Sequence, residues 1–167
     1  MQKEIKKYKK GFTLIEALIY LALFGILMGG AIVAAYNIYE SGSRISARII
    51  VLEEGNFLLA KINWALSGIS AVNFPLVGST GSKLLVTTVD SAIGSISIES
   101  GGTDIVMTQG GVTQTLNNTN VTVDNLLFDY KQNGNVEWIT SSFTLNTRTA
   151  DGKPLSQNFK GTKYLRK

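Results

Sequence analysis

The 23 residues from Ala17 to Tyr39 contain no charged side chain, and this run constrains the chain more than any other feature. As an α-helix it rises about 1.5 Å per residue, about 34 Å in all, which suffices to cross a bilayer core of about 30 Å. The rest of the chain is polar and rich in Gly, Thr, Ser and Asn. The positive mean hydropathy of +0.14 and the low charged fraction of 17% therefore describe one local segment. They do not describe an evenly apolar protein.

Charge is as uneven as hydropathy. The net charge is +4, a value that in an evenly basic protein points to nucleic acid. Here Lys3, Lys6, Lys7, Lys9 and Lys10 stand against Glu4 alone within residues 1–11, and the 11 basic residues beyond Gly11 are balanced by 11 acidic ones. The surplus lies just before the apolar run, which places residues 1–11 in the cytoplasm and the C-terminal bulk outside it. That distribution argues against a nucleic-acid partner. Cys and His are both absent. No disulfide framework is available, Ser-His and Cys-His nucleophile systems are excluded, and no cofactor or metal site is expected.

Four regions follow: a basic leader over 1–11, an apolar helix over 12–39, an amphipathic helical half over 40–73, and an antiparallel β domain over 74–167. The Ser41-Gly42-Ser43 triplet marks an interruption between the helical parts. From Arg44 to Ser70, the residues Ile45, Ile49, Leu52, Leu59, Ile62, Leu66 and Ile69 recur mostly three or four apart, as the sheet-facing stripe of a helix does. Asn73-Phe74-Pro75 is expected to end it, because a residue before Pro leaves the helical region. Residues 68–81 read as a loose connection. Beyond Lys83 the period falls to two. Leu85–Val89, Ile96–Ile98, Asp104–Thr108, Val112–Leu116, Val121–Tyr130, Val136–Arg148 and Phe159–Leu165 read as strands, separated by Gly-Gly, Asn-Gly and Asp-Gly turns. The expected class is α+β, a long helix packed on an antiparallel sheet.

Glu16 is the residue that asks for a specific explanation. It stands beside the apolar run, where a carboxylate costs up to about 2.5–3.5 kcal/mol at mid-bilayer and less near the interface. With its neighbours it forms Lys9-Lys10-Gly11-Phe12-Thr13-Leu14-Ile15-Glu16, followed by more than twenty apolar residues. This segment resembles the cleavage and methylation motif of type IV pilins, pseudopilins and competence pilins. The resemblance implies cutting by a prepilin peptidase between Gly11 and Phe12, N-methylation of the new Phe12 amine, and a role for Glu16 in subunit register and assembly. It also implies other pilin subunits and an inner-membrane assembly platform as partners, and a structural rather than enzymatic protein. The absence of a Pro in the apolar helix and of a disulfide loop is closer to minor pilins and pseudopilins than to many major pilins. The task of the filament, whether secretion, DNA uptake, adhesion or motility, stays open at this level.

Plainer accounts compete at each point. Val33-Ala34-Ala35 offers small residues to an ordinary signal peptidase, and a signal-anchored binding module that never polymerises is the alternative from another class. Gly25 and Gly29 have the spacing of close helix packing, and equally the ordinary glycine content of a membrane helix. Trp64, Phe128, Tyr130, Trp138 and Phe143 are read as core before they are read as a ligand platform. Arg148, Lys153, Lys160, Lys163, Arg166 and Lys167 read as a solvated basic tail. Glu53 with Glu54, and Asp124 with Asp129, read as surface carboxylates before acid–base pairs.

Overall fold

The computed structural model describes residues 11–165; the lysines of the leader, Arg166 and Lys167 lie outside the described residues. One helix, α1 (Leu14–Ala65), precedes nine strands: β1 (Ile69–Phe74), β2 (Thr80–Gly81), β3 (Lys83–Thr88), β4 (Ser95–Ser100), β5 (Ile105–Gln109), β6 (Val112–Thr115), β7 (Thr122–Asn133), β8 (Val136–Arg148) and β9 (Pro154–Leu165). The chain divides into two compact units, one ending at Gly42 and the other starting at Ser43.

In the first unit every residue from Ala17 to Tyr39 is exposed, and none of the most apolar 18-residue window is covered by protein. The helix passes Ser41-Gly42-Ser43 without a break, contrary to the expected interruption. A single Gly in a helix costs about 1 kcal/mol relative to Ala, which flanking helix-formers tolerate.

In the second unit the strands make two antiparallel sheets rather than one. The first has the order β1-β3-β4-β5-β6 and the second β2-β7-β8-β9. Helix α1 stops at Ala65, earlier than the Asn73-Phe74-Pro75 stop, and residues 69–74 pair with β3 as an edge strand. Residues 68–81, expected to be loose, thus hold β1 and β2. Between helix and strand lies Gly68, whose φ of 69° is a left-handed conformation that suits the turn from α1 into β1.

Leu84, Val86, Ile96, Ile98 and Ile105 from one sheet, Phe128, Ile139, Phe143 and Leu145 from the other, and Val51, Leu58 and Ile62 from α1 form one buried cluster. Val121, just before β7, and Val123 point inward, followed along the strand by Leu126, Phe128 and Tyr130. The change of parity comes from a bulge between Asp124 and Leu127, where Asn125 takes a φ of 55°. One extra residue there turns Leu127 outward and three large side chains inward.

The helix face that packs on the sheets differs from the expected stripe. Its buried residues are Ala47, Val51, Gly55, Leu58, Ile62 and Ala65, a row with helical spacing that includes three small side chains. Ile45, Ile49 and Leu52 are 60%, 49% and 40% exposed, about a third of a turn away around the helix. Ile62 and Leu66 are buried as expected. The small residues let α1 approach closely. A Cβ on Gly55 would run into the Phe159 ring, and one on Gly161 would lie 2.9 Å from Leu59 Cδ2.

Polar contacts fix the loops against this core. Asn117 is buried: its Oδ1 accepts the Ile105 N–H at 2.8 Å, and its Nδ2 donates to Asp104 Oδ1 and to Val121 O, each at 2.9 Å. Next to it, Asn118 donates from N and Nδ2 to the Glu54 carboxylate at 2.8 and 3.0 Å.

Candidate processing and assembly site

Gly11, Phe12 and Thr13 precede the helix in non-helical, exposed backbone. Thr13 is the N-cap of α1. Its Oγ1 accepts the Glu16 N–H at 3.4 Å, a long bond, and its carbonyl accepts the Ala17 N–H at 3.2 Å. The first helical N–H groups have no partner within the helix, and a Thr at this position satisfies one of them. Thr13-x-x-Glu16 is the pattern of a capping box, a sequence signal that reasoning from the apolar run alone passes over.

Glu16 falls in the first turn, where the positive end of the helix dipole favours a carboxylate. It is half-buried, while every residue from Ala17 to Tyr39 is exposed. The Phe12 ring lies edge-on to Tyr20, with centroids 5.8 Å apart and planes at 62°, and is itself 75% exposed. Among the described residues, and its chain neighbours aside, nothing comes within 4 Å of where a Cβ on Gly11 would sit. Among the described residues the structure thus brings together an exposed Gly-Phe pair, a capped helix start and one carboxylate in the first helical turn.

The other candidates resolve into structural contacts. Phe128, Tyr130 and Phe143 are buried as expected, whereas Trp64 is 45% exposed and Trp138 is half-buried. Lys61 stands over the Phe57 and Trp64 rings at 5.7 and 5.8 Å. Asp124 accepts a 2.6 Å bond from Asn146, and Asp129 pairs with Lys131 at 2.7 Å. With Glu54 held by Asn118, neither proposed carboxylate pair is arranged for acid–base work. Of the expected basic tail, Arg148 ends β8, Lys153 lies in the turn before β9, Lys160 and Lys163 stand on β9, which pairs with β8 from Pro154 to Leu165, and Arg166 and Lys167 lie outside the described residues. Among the described residues no three acidic side chains gather to hold a metal ion.

One polar pair sits deep in the second unit. The Tyr130 hydroxyl donates to Glu137 Oε2 at 2.6 Å, with Glu137 only 7% exposed. Burial first, and then the bond to Glu137 and its negative charge, push the Tyr130 hydroxyl up to about 12.

A family model for the prokaryotic N-terminal methylation motif matches residues 6–32, and that motif is the type IV prepilin-like signature. The match supports a type IV pilin-like reading of this N-terminal segment. No curated protein and no solved structure matches the chain. The match takes in Gly11, Phe12, Thr13 and Glu16, and it reaches well into the exposed apolar part of α1.

Proposed function

We propose that the chain is a structural subunit, a minor pilin or pseudopilin, of a type IV pilus-like filament. Prepilin peptidase cuts it between Gly11 and Phe12, Phe12 is N-methylated, and α1 carries it first in the membrane and then in the filament. The observation that carries this reading is the helix start. A peptidase needs its scissile bond in extended backbone, and the Thr13 cap begins the helix two residues beyond Gly11. Removal of residues 1–11 takes away the +4 surplus and leaves the uncharged run in place.

The exposed apolar surface supports assembly through the same helix. Leu14, Ile15, Leu18, Leu21, Ile26 and Leu27 are each more than half exposed, and such a surface requires lipid or neighbouring subunits. In this scheme Glu16 of one subunit pairs with the Phe12 amine of the next, which neutralises two poorly solvated charges and sets axial register. Removing one member of such a pair costs about 3–5 kcal/mol, so incorporation of Glu16→Ala should fall more than about a hundredfold while processing continues. The experiment compares filament content with the amount of processed subunit in membranes. Normal incorporation of processed Glu16→Ala refutes the role in register, and an uncut, non-polymerising membrane protein refutes the filament reading.

A further inference from the structure

A groove at the beginning of the second unit combines cationic and apolar side chains. On α1, Arg44, Ile45 and Arg48 face Lys153, Pro154 and Leu155 across a space of about 370 Å³. Arg44, Ile45 and Arg48 are exposed, so cations rim the groove while Ile45, Pro154 and Leu155 give it an apolar lining. Lys153 is bound to Asp151 at 3.1 Å. Arg148 adds a further cation, its Nη1 donating to Gly152 O at 3.3 Å. Against Arg44, Arg48, Arg148 and Lys153 stand Asp151 and, one turn before Arg44 in the sequence, Glu40. The surroundings stay positive with both carboxylates counted.

The wall opposite the helix is held rigidly. Thr149 and Lys153 exchange backbone and hydroxyl bonds of 2.9–3.1 Å across the β8–β9 turn. Ala150 N–H donates to Ser43 Oγ at 3.0 Å, which fixes that turn to the helix. A site whose walls are already in place pays little ordering entropy on binding.

Sequence position selects the occupant. Arg44 and Arg48 come five and nine residues after Tyr39, the last residue of the uncharged run. If Ala17–Tyr39 spans the bilayer, as proposed above, these residues emerge at the level of the lipid head groups. We infer that the groove binds the anionic phosphate head group of a membrane glycerophospholipid on the extracytoplasmic side, with the first acyl carbons against Ile45 and Leu155. The bound lipid holds the membrane-proximal end of the second unit at the surface before the subunit enters a filament. This inference rests on the membrane reading of α1.

The test uses the full chain in a mild detergent, with native mass spectrometry of adducts formed with phosphatidylglycerol or phosphatidylcholine. Preferential retention of phosphatidylglycerol is expected. Each cation removed should weaken it about fivefold, so Arg44→Ala with Arg48→Ala weakens it about 25-fold and Lys153→Gln about fivefold. Lys131→Ala, far along β7, should change nothing. Equal retention of the two lipids, an equal loss in Lys131→Ala, or no loss in Lys153→Gln overturns the site. Displacement by inorganic phosphate at the same concentration as short-chain phosphatidylglycerol assigns the groove to free phosphate and overturns the lipid. Alkaline carbonate extraction of membranes checks the underlying reading separately: release of the chain refutes the span, whereas retention without lipid preference refutes the site alone.

Discussion

Gly55→Ala sets two effects of opposite sign against each other within one residue. Replacing Gly by Ala inside a helix normally stabilises by about 1 kcal/mol. At Gly55 the added methyl would overlap the Cε1, Cζ and Cδ1 edge of the Phe159 ring. That ring is 8% exposed and stacks on Phe143, with centroids 5.5 Å apart and planes at 17°. Overpacking a core of this kind costs about 1–3 kcal/mol, and pulling Phe159 off Phe143 forfeits a further 0.5–1.5 kcal/mol or about that. The net expectation is destabilisation by about 2 kcal/mol. Urea unfolding of the full chain in detergent, followed by tryptophan fluorescence, measures it as a shift in midpoint at unchanged slope. Phe159→Leu removes the outer ring atoms, and in that background Gly55→Ala should be neutral or stabilising. The cycle then yields a coupling of about 2 kcal/mol. Stabilisation by about 1 kcal/mol in the otherwise unaltered chain, or the same effect in both backgrounds, would show that the ring does not close over Gly55.

Two further substitutions probe the buried polar groups. Asn117→Ala strands the Ile105 N–H and the Val121 carbonyl and should destabilise by about 3 kcal/mol in the same urea assay; a change below about 1 kcal/mol would mean that water replaces the amide. Tyr130 gives a pH-dependent term. Its hydroxyl ionises near 10 when unfolded and near 12 in the fold, so unfolding releases a proton between those values. The contribution is complete below pH 10 and is lost as pH rises towards 12. Tyr130→Phe should therefore lose stability less steeply across that window, and parallel pH profiles would contradict the assignment.

The parts of the fold legible in the sequence were those where one pattern acted alone. The uncharged run predicts the exposed helix, and Gly110-Gly111, Asn133-Gly134 and Asp151-Gly152 mark turns that the structure contains. The α+β class follows from the change of period near Lys83. The packing face of α1 did not follow, because Ile45, Ile49 and Leu52 outweigh Ala47 and Gly55 in any reading by hydrophobicity. Close approach of a helix to a sheet depends on small residues, and small residues carry little hydropathy. The early helix stop at Ala65 was hidden for a related reason: Ile69 and Val72 keep an apolar rhythm that serves β1 as well as a helix. The two-sheet arrangement depends on pairings between residues far apart in the chain, and no local pattern encodes them. At the candidate site Gly11, Phe12 and Glu16 were visible as a motif, and the structure adds Thr13 as the cap that sets where the helix begins.

The most direct test of processing is the mass of the mature N-terminus, measured on protein isolated from cells that contain a prepilin peptidase. A chain beginning at Phe12 with one methyl group on its amine is the expected result. A chain that keeps Met1, or one cut after Ala35 and beginning at Tyr36, would contradict it.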